Sequence, residues 1–311
     1  MSLEKYSAII DKTELAAITK NNYKDRLKRL TELIGRDVFW ILTNPEPSWE
    51  KVKGTIKSAE TAKSYLTTIL TMYKHDPNLK VLFKQCHEQW FDLFEQVVEM
   101  IEEKHTKMEP SERQIETYME WDDIIKGRDT YTNRVFFNQT YLLICLMTMI
   151  PPCRADLNKV KIYLDREPSD DEKVNEPNYL MIWSKPQKMT LMYHEFKTKC
   201  DWRPFYKKDL PVNLMEVISA SLKNKPRDYL IVSPRSGLPY DNVQSYISYF
   251  KKQTLQVYGR DISINVFRHS YIIYYCKLHP SYAKRKELAI DMMNSVKTLQ
   301  RYQYEPEYLK Q

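Results

Sequence analysis

Only five glycines occur in 311 residues. A G-x-G-x-x-G dinucleotide loop or a Walker-type phosphate loop needs several glycines in close order, and neither is present, nor is an H-E-x-x-H. Nucleotide-cofactor and zinc-hydrolase readings therefore lose their usual support. Cysteine is scarce as well: Cys86, Cys145, Cys153, Cys200 and Cys276 are odd in number, spread along the chain and never in a C-x-x-C pair. That pattern argues against a disulfide framework or a zinc site and predicts reduced thiols. The longest apolar run, Tyr141 to Met147, is extended only by Thr148, Met149 and Ile150 before two prolines. It falls far short of the roughly 20 residues a spanning helix needs, so it reads as a buried helix and no membrane partner is expected. The opening stretch MSLEKYSAIIDKTE has no apolar segment behind a basic start. No secretory signal is visible, and an intracellular protein is expected.

What the chain does have is basic and aromatic. Lys and Arg number 48 against 41 Asp and Glu, a formal charge of +7, which suits a polyanionic partner. Twenty-three tyrosines set among lysines fit a surface that packs on sugars and bases as well as a core. The length predicts two domains.

The first hundred residues read as helices. Tyr23, Leu27, Leu30 and Ile34 recur at helical spacing, with Lys20, Lys24 and Lys28 on other faces and Gly35 as a stop signal. Pro45 and Pro47 are expected to break the chain, and a second helical pattern follows Ser58, with Ala62, Tyr65, Leu66, Ile69 and Leu70 apolar and Lys57 and Lys63 flanking. Two basic helices of this kind can straddle a duplex, and Lys20, Lys24, Lys28, Lys57 and Lys63 are the candidate phosphate contacts. A further helix runs through Trp90, Phe94, Val97 and Ile101. Polarity then rises, and a linker near Glu109 to Ser111 divides a helical domain, residues 1–108, from a second domain, residues 109–311.

In the second domain Trp121 to Ile125, Arg134 to Ile150, Asn242 to Leu255 and Phe267 to Leu278 read as helices. The charged segment Asp165 to Asn178 reads as a surface loop. Tyr179 to Trp183 and Met189 to Tyr193, separated by SKPQK, read as a hairpin, with a third strand from about Arg203 to Pro211. The fold class predicted is mainly α with a small antiparallel β-sheet.

Four residues stand out in the second domain: Arg154 in MIPPCRADL, Lys197 in HEFKTK, Arg268 in SINVFRHSY and Tyr302 in SVKTLQRYQY. Cutting DNA without a metal requires this set. A tyrosine phenol attacks the phosphodiester, guanidiniums hold the charge growing on the non-bridging oxygens, and an ammonium protonates the departing 5′ oxygen. Taken one at a time each has a bland explanation, since an Arg-x-Asp pair after a helix is usually structural and a lysine in a charged hairpin is usually solvated.

In this order and near this spacing the four segments resemble the tyrosine recombinase family of integrases. P-P-C-R-A-D-L resembles the first arginine box, with Arg154 and Asp156 at its arginine and acid. The P-P-x-R-x-D form is similar to variants in recombinases of large eukaryotic DNA viruses and related mobile elements. Lys197-Thr198 resembles the lysine of the family's β-hairpin. N-V-F-R-H-S resembles the second box, H-x-L-R-H-[ST], matching at Arg268, His269 and Ser270. ELAIDMMNSVKTLQRYQY resembles L-A-x-x-M-G-H-S-x-x-T-x-x-x-Y, matching at Ala289, Ser295, Thr298 and Tyr302. Two usual histidines are absent. Asn265 stands at one position, and Asn294, or Met293 on a one-residue slip, at the other. Asparagine can donate a hydrogen bond to a phosphoryl oxygen but has no titratable nitrogen. His269 is the nearest titratable candidate, and Tyr304 is the rival nucleophile.

The resemblance implies a helical core-binding domain and a catalytic domain closing on double-stranded DNA, and assembly as a tetramer on two sites. It implies cleavage through a 3′-phosphotyrosyl intermediate with no cofactor, neither ATP nor a metal. A viral origin would place the protein in the host nucleus or at a viral replication site. Two alternatives remain: a type IB topoisomerase, which shares the constellation, and a DNA-binding relative impaired in catalysis by the missing histidines.

Overall fold

In a computed structural model of the chain the described residues are 3–56, 58–110, 112–135, 138–154, 157–196, 199 and 204–301, and the side chains of residues 113, 132–135, 297 and 301 lie outside the description. Lys57, Asp156, Lys197, Tyr302 and Tyr304 therefore lie outside the described residues. The chain divides into two compact units, Met1–Lys107 and Met108–Gln311.

The first unit is helical throughout: α1 (Leu3–Asp11), α2 (Ala17–Ile34), α3 (Val38–Thr43), α4 (Pro45–Thr55), α5 (Ala59–His75), α6 (Pro77–Leu82) and α7 (Lys84–Thr106). The apolar stripe of α2 buries Leu27, Leu30 and Ile34, and Gly35 closes the helix in the left-handed region (φ 71°), its N–H donating to the Thr31 carbonyl. Ser58 caps α5 by accepting from the Thr61 N–H, as its sequence position implies. The proline pair acts in the opposite sense to the break expected. Pro45 occupies the first position of α4, where the missing N–H has no intrahelical partner to lose, so it opens a helix. At the centre Tyr73 Oη and Trp90 Nε1 both donate to the Leu42 carbonyl, at 2.5 and 3.0 Å, pinning α5 and α7 to the end of α3. Both rings are fully buried, and the shared acceptor meets the demand of their polar tips.

The second unit runs α8 (Glu112–Thr117), α9 (Trp121–Val135), α10 (Gln139–Thr148), β1 (Lys161–Leu164), α11 (Asp170–Asn175), β2 (Asn178–Ser184), β3 (Gln187–Tyr193), β4 (Tyr206–Asp209), α12 (Val212–Asn224), α13 (Val243–Tyr258), α14 (Ile264–Lys277), α15 (Tyr282–Asp291) and α16 (Val296–Arg301). It is mainly α with a small sheet, as expected. The sheet has order β1-β2-β3-β4, with β2–β3 and β3–β4 antiparallel. It is mixed, not purely antiparallel, because β1 pairs parallel to β2. A parallel return needs a crossover of about a dozen residues or more, and the charged segment read as a plain loop supplies it. That segment also folds: Ser169 and Glu172 form a reciprocal capping box that starts α11. The core gathers α10, every residue of which from Thr140 to Met147 is buried, with the inner faces of the sheet, α12, α13 and α14. A smaller cluster, Ile272, Leu288, Ala289, Met292 and Leu299, holds α15 and α16 against α14.

Candidate active site

Three of the singled-out segments meet at one side chain. Ser263, accepting from the Val266 N–H, caps α14 and starts it three residues earlier than the apolar pattern indicates. Asn265 thereby falls in the first turn, with Arg268 and His269 three and four residues on along the same face. Arg268 is buried to 1 % exposure. Its Nη1 donates to the Pro152 carbonyl at 2.9 Å, and Nη1 and Nη2 both donate to the Met292 carbonyl at 3.3 Å. Pro152 is two residues before Arg154, and Met292 two before Asn294. Arg268 thus ties the first arginine segment and the C-terminal segment to α14.

This burial has a physical rationale. A guanidinium is costly to bury unless its N–H groups find acceptors, and the carbonyl at a helix C-terminus carries partial negative charge. Met292 is the C-cap of α15. Beyond it the chain closes in a Schellman arrangement, the Met293 N–H donating to Ile290 at 3.0 Å and the Asn294 N–H to Ala289 at 2.7 Å. Met293 stands in the left-handed region (φ 51°), the position such a closure ordinarily gives to glycine. In the pattern quoted above, glycine falls at this position when Asn294, and not Met293, is aligned with the histidine. Asn294 is 4 % exposed, and its Nδ2 has no hydrogen-bond partner among the described residues. A buried amide left without a partner is unfavourable in isolation.

Arg154 lies just past α10 and the Pro151-Pro152 pair, half-buried, with no hydrogen bond or ion pair to another described residue. Asn265 is exposed. His269 is half-buried, and its pKa is pushed down to about 4, chiefly by desolvation and secondarily by the neighbouring Arg268 charge. It is a neutral imidazole at pH 7. Ser270 Oγ donates to the Met119 carbonyl at 2.5 Å, so its role in the structure is to fasten α14 to the α8–α9 connection.

Of the other lysines that follow Lys197 in the sequence, Lys208 pairs with Asp291 at 2.6 Å, while Lys199 and Lys207 are exposed. In the first unit Lys24 pairs with the Asp11 carboxylate at 2.6 Å and Lys20 donates to the Asp11 carbonyl at 2.8 Å. Lys28 lies 4.0 Å from Glu32, and Lys63 sits over the Phe94 ring. Sequence reasoning missed the carbonyls of Pro152 and Met292, the Asp291 pairing and the cap at Ser263. Only the last has a local signature, a serine before an apolar helix.

No protein-family model matches the chain, and no curated protein matches it. Among solved structures it is similar to the integrase of the Tn1549 transposon in complex with circular intermediate DNA. Two structures of that protein give TM-scores of 0.57, at 11% and 12% identity, over 98% of this chain and 96% of that one. XerA recombinase aligns over 99% of this chain and 96% of that one, at 12% identity and a TM-score of 0.44. At such identities the likeness to the Tn1549 integrase is one of fold.

Proposed function

We propose that the protein is a site-specific DNA recombinase of the tyrosine recombinase kind. The observation that carries the reading is the buried Arg268, which joins the segments of Arg154 and Asn294, three stretches that the family pattern requires at one phosphate. The shared fold with the Tn1549 integrase, solved in complex with DNA, supports it independently. The second unit is the catalytic domain and the first the core-binding domain, and the partner is duplex DNA.

In the proposed reaction the Tyr302 phenol loses its proton and its oxygen attacks the scissile phosphorus. The bond to the 5′ oxygen breaks, and that oxygen takes a proton from Lys197. A 3′-phosphotyrosine and a free 5′ hydroxyl result, and attack by another strand's 5′ hydroxyl reverses the sequence. Arg154 and Arg268 stabilise the negative charge that grows on the non-bridging oxygens, and Asn265 and Asn294 donate hydrogen bonds to them. Neither asparagine moves a proton. The phenol's proton passes to solvent or to His269, the titratable side chain of the Arg268 segment, which is uncharged at neutral pH. Self-association to a tetramer on paired sites belongs to the same reading, as does the origin in a viral or mobile element that the P-P-x-R-x-D wording supports.

The test is to incubate the protein with nicked duplexes carrying candidate element ends and to look for a denaturation-resistant protein–DNA adduct. The expected adduct forms equally with and without a chelator. A chelator-sensitive product, or none with any end, would overturn the reading.

A further inference from the structure

The Lys208–Asp291 pair lies outside the residues that the reaction uses, yet it joins two of its segments. β4 is a strand of four residues at the edge of the sheet, paired among the described strands with β3. In sequence, Lys197 sits on the connection between β3 and β4. Successive side chains alternate across a strand. Asp209 turns to Thr190 and Lys188, at 2.7 and 2.9 Å, whereas Lys208, on the face shared with the buried Tyr206, meets Asp291 at 2.6 Å. Asp291 is the last residue of α15, immediately before Met292, whose carbonyl receives Arg268. Both side chains are largely covered, at 27 and 32 % exposure, so their attraction is less screened than that of a surface pair.

We infer that Lys208 and Asp291 are a positioning pair that ties β4, the strand that follows the Lys197 segment in sequence, to the site built around Arg268. The two ends of the pair are unequally secured. The end of α15 is fixed without it, by the Arg268 bonds, the Schellman closure and the fully buried Met292 and Met293. The short edge strand is held by its pairing with β3 and by the contacts of Asp209 with Thr190 and Lys188. Loss of the pair therefore displaces the β4 side, and the step that suffers is proton delivery by Lys197 to the leaving oxygen. The inference rests on the recombinase reading above.

That assignment predicts a dependence on the leaving group. A 5′-bridging sulfur leaves without needing a proton, so a substrate with a phosphorothiolate at the scissile position no longer requires the lysine. The experiment measures adduct formation by wild type, Lys208→Met, Asp291→Asn and the exchanged Lys208→Asp/Asp291→Lys protein, on ordinary and 5′-bridging phosphorothiolate duplexes. Lys208→Met and Asp291→Asn are expected to slow cleavage of the ordinary duplex roughly ten- to a hundredfold, the scale of a small misplacement of a reacting group. On the phosphorothiolate they should fall within roughly threefold of wild type, because no general acid is needed there. The exchanged protein should recover most of the ordinary rate. An equal loss on both substrates, or no loss on either, would overturn the pairing proposal while wild-type adduct left the recombinase reading standing. Absence of adduct from wild type on both substrates would overturn the two together.

Discussion

Arg268 and Pro152, 116 residues apart in sequence, are joined by a 2.9 Å hydrogen bond from a guanidinium nitrogen to a backbone carbonyl. The two arginines consequently differ in what they support. Arg268→Ala would leave the Pro152 and Met292 carbonyls short of their donor and should lower stability by ~1–3 kcal/mol in addition to slowing cleavage. Arg154, with no such partner among the described residues, should on replacement by alanine slow cleavage by roughly 10² or more while leaving the unfolding midpoint nearly unchanged. Denaturant melts beside single-turnover cleavage separate the two, and equal stability losses would contradict the distinction.

Tyr302→Phe removes one oxygen and should abolish the covalent adduct while duplex binding persists. Tyr304→Phe should retain the adduct. The reverse pattern in a gel of denatured reactions would move the nucleophile to Tyr304.

The His269 ring, held at about 4 against an ordinary 6.5, makes a signed prediction about pH. Between those values the unfolded chain binds a proton that the folded chain refuses, so stability falls as pH drops through that window and is unaffected above it. His269→Gln should flatten part of the fall. Some slope should survive, since burial also lowers His87 and His194. Denaturation at pH 4.5 and 7.5 measures the effect, and the cleavage rate should show no step from His269 between pH 6 and 7. Such a step in wild type, lost in His269→Gln, would show the ring titrating at its ordinary value.

Gly127 in α9 lies against a ring: a Cβ there would sit 2.4 Å from Cε1 of Tyr258, whose hydroxyl donates to the Ile124 carbonyl. Alanine at a helical position ordinarily gains ~1 kcal/mol over glycine. Here the ring must shift, so Gly127→Ala should instead destabilise by ~1–3 kcal/mol, as overpacking does. A raised melting temperature would show that the ring moves at no cost.

Duplex binding should weaken with salt, each lost phosphate contact lowering the slope of log affinity against log salt by about one. Lys28→Ala and Lys63→Ala should each do so. Lys24→Ala should do less, because Asp11 already offsets that charge. Identical slopes in all three would place these lysines away from the duplex.

How far the chain could be read in advance follows the range of each signal. The stripe of α2, the Ser58 cap and the hairpin through SKPQK depend on neighbours a few residues away and were legible. The four residues of β1 pair with a strand beyond a crossover, and so short a run has no periodicity of its own. At the candidate site Arg268 stands out in the sequence through the neighbouring His269 and Ser270. Its acceptors do not, because every residue has a carbonyl and only the folded chain selects which two. Met293 was the least legible, since its left-handed backbone carries no glycine to announce it.

That residue links two parts of the molecule that are otherwise described separately. Its backbone forms the turn after α15, and its side chain, fully buried, belongs to the main core of the second unit and not to the small cluster under α15 and α16. Glycine would relax the turn but withdraw the side chain from the core, and a β-branched residue would strain the turn further. The position therefore works as a rivet between the interior and the terminal segment. Repacking of the interior is therefore expected to reach, through this one residue, the end of α15 whose Met292 carbonyl receives Arg268.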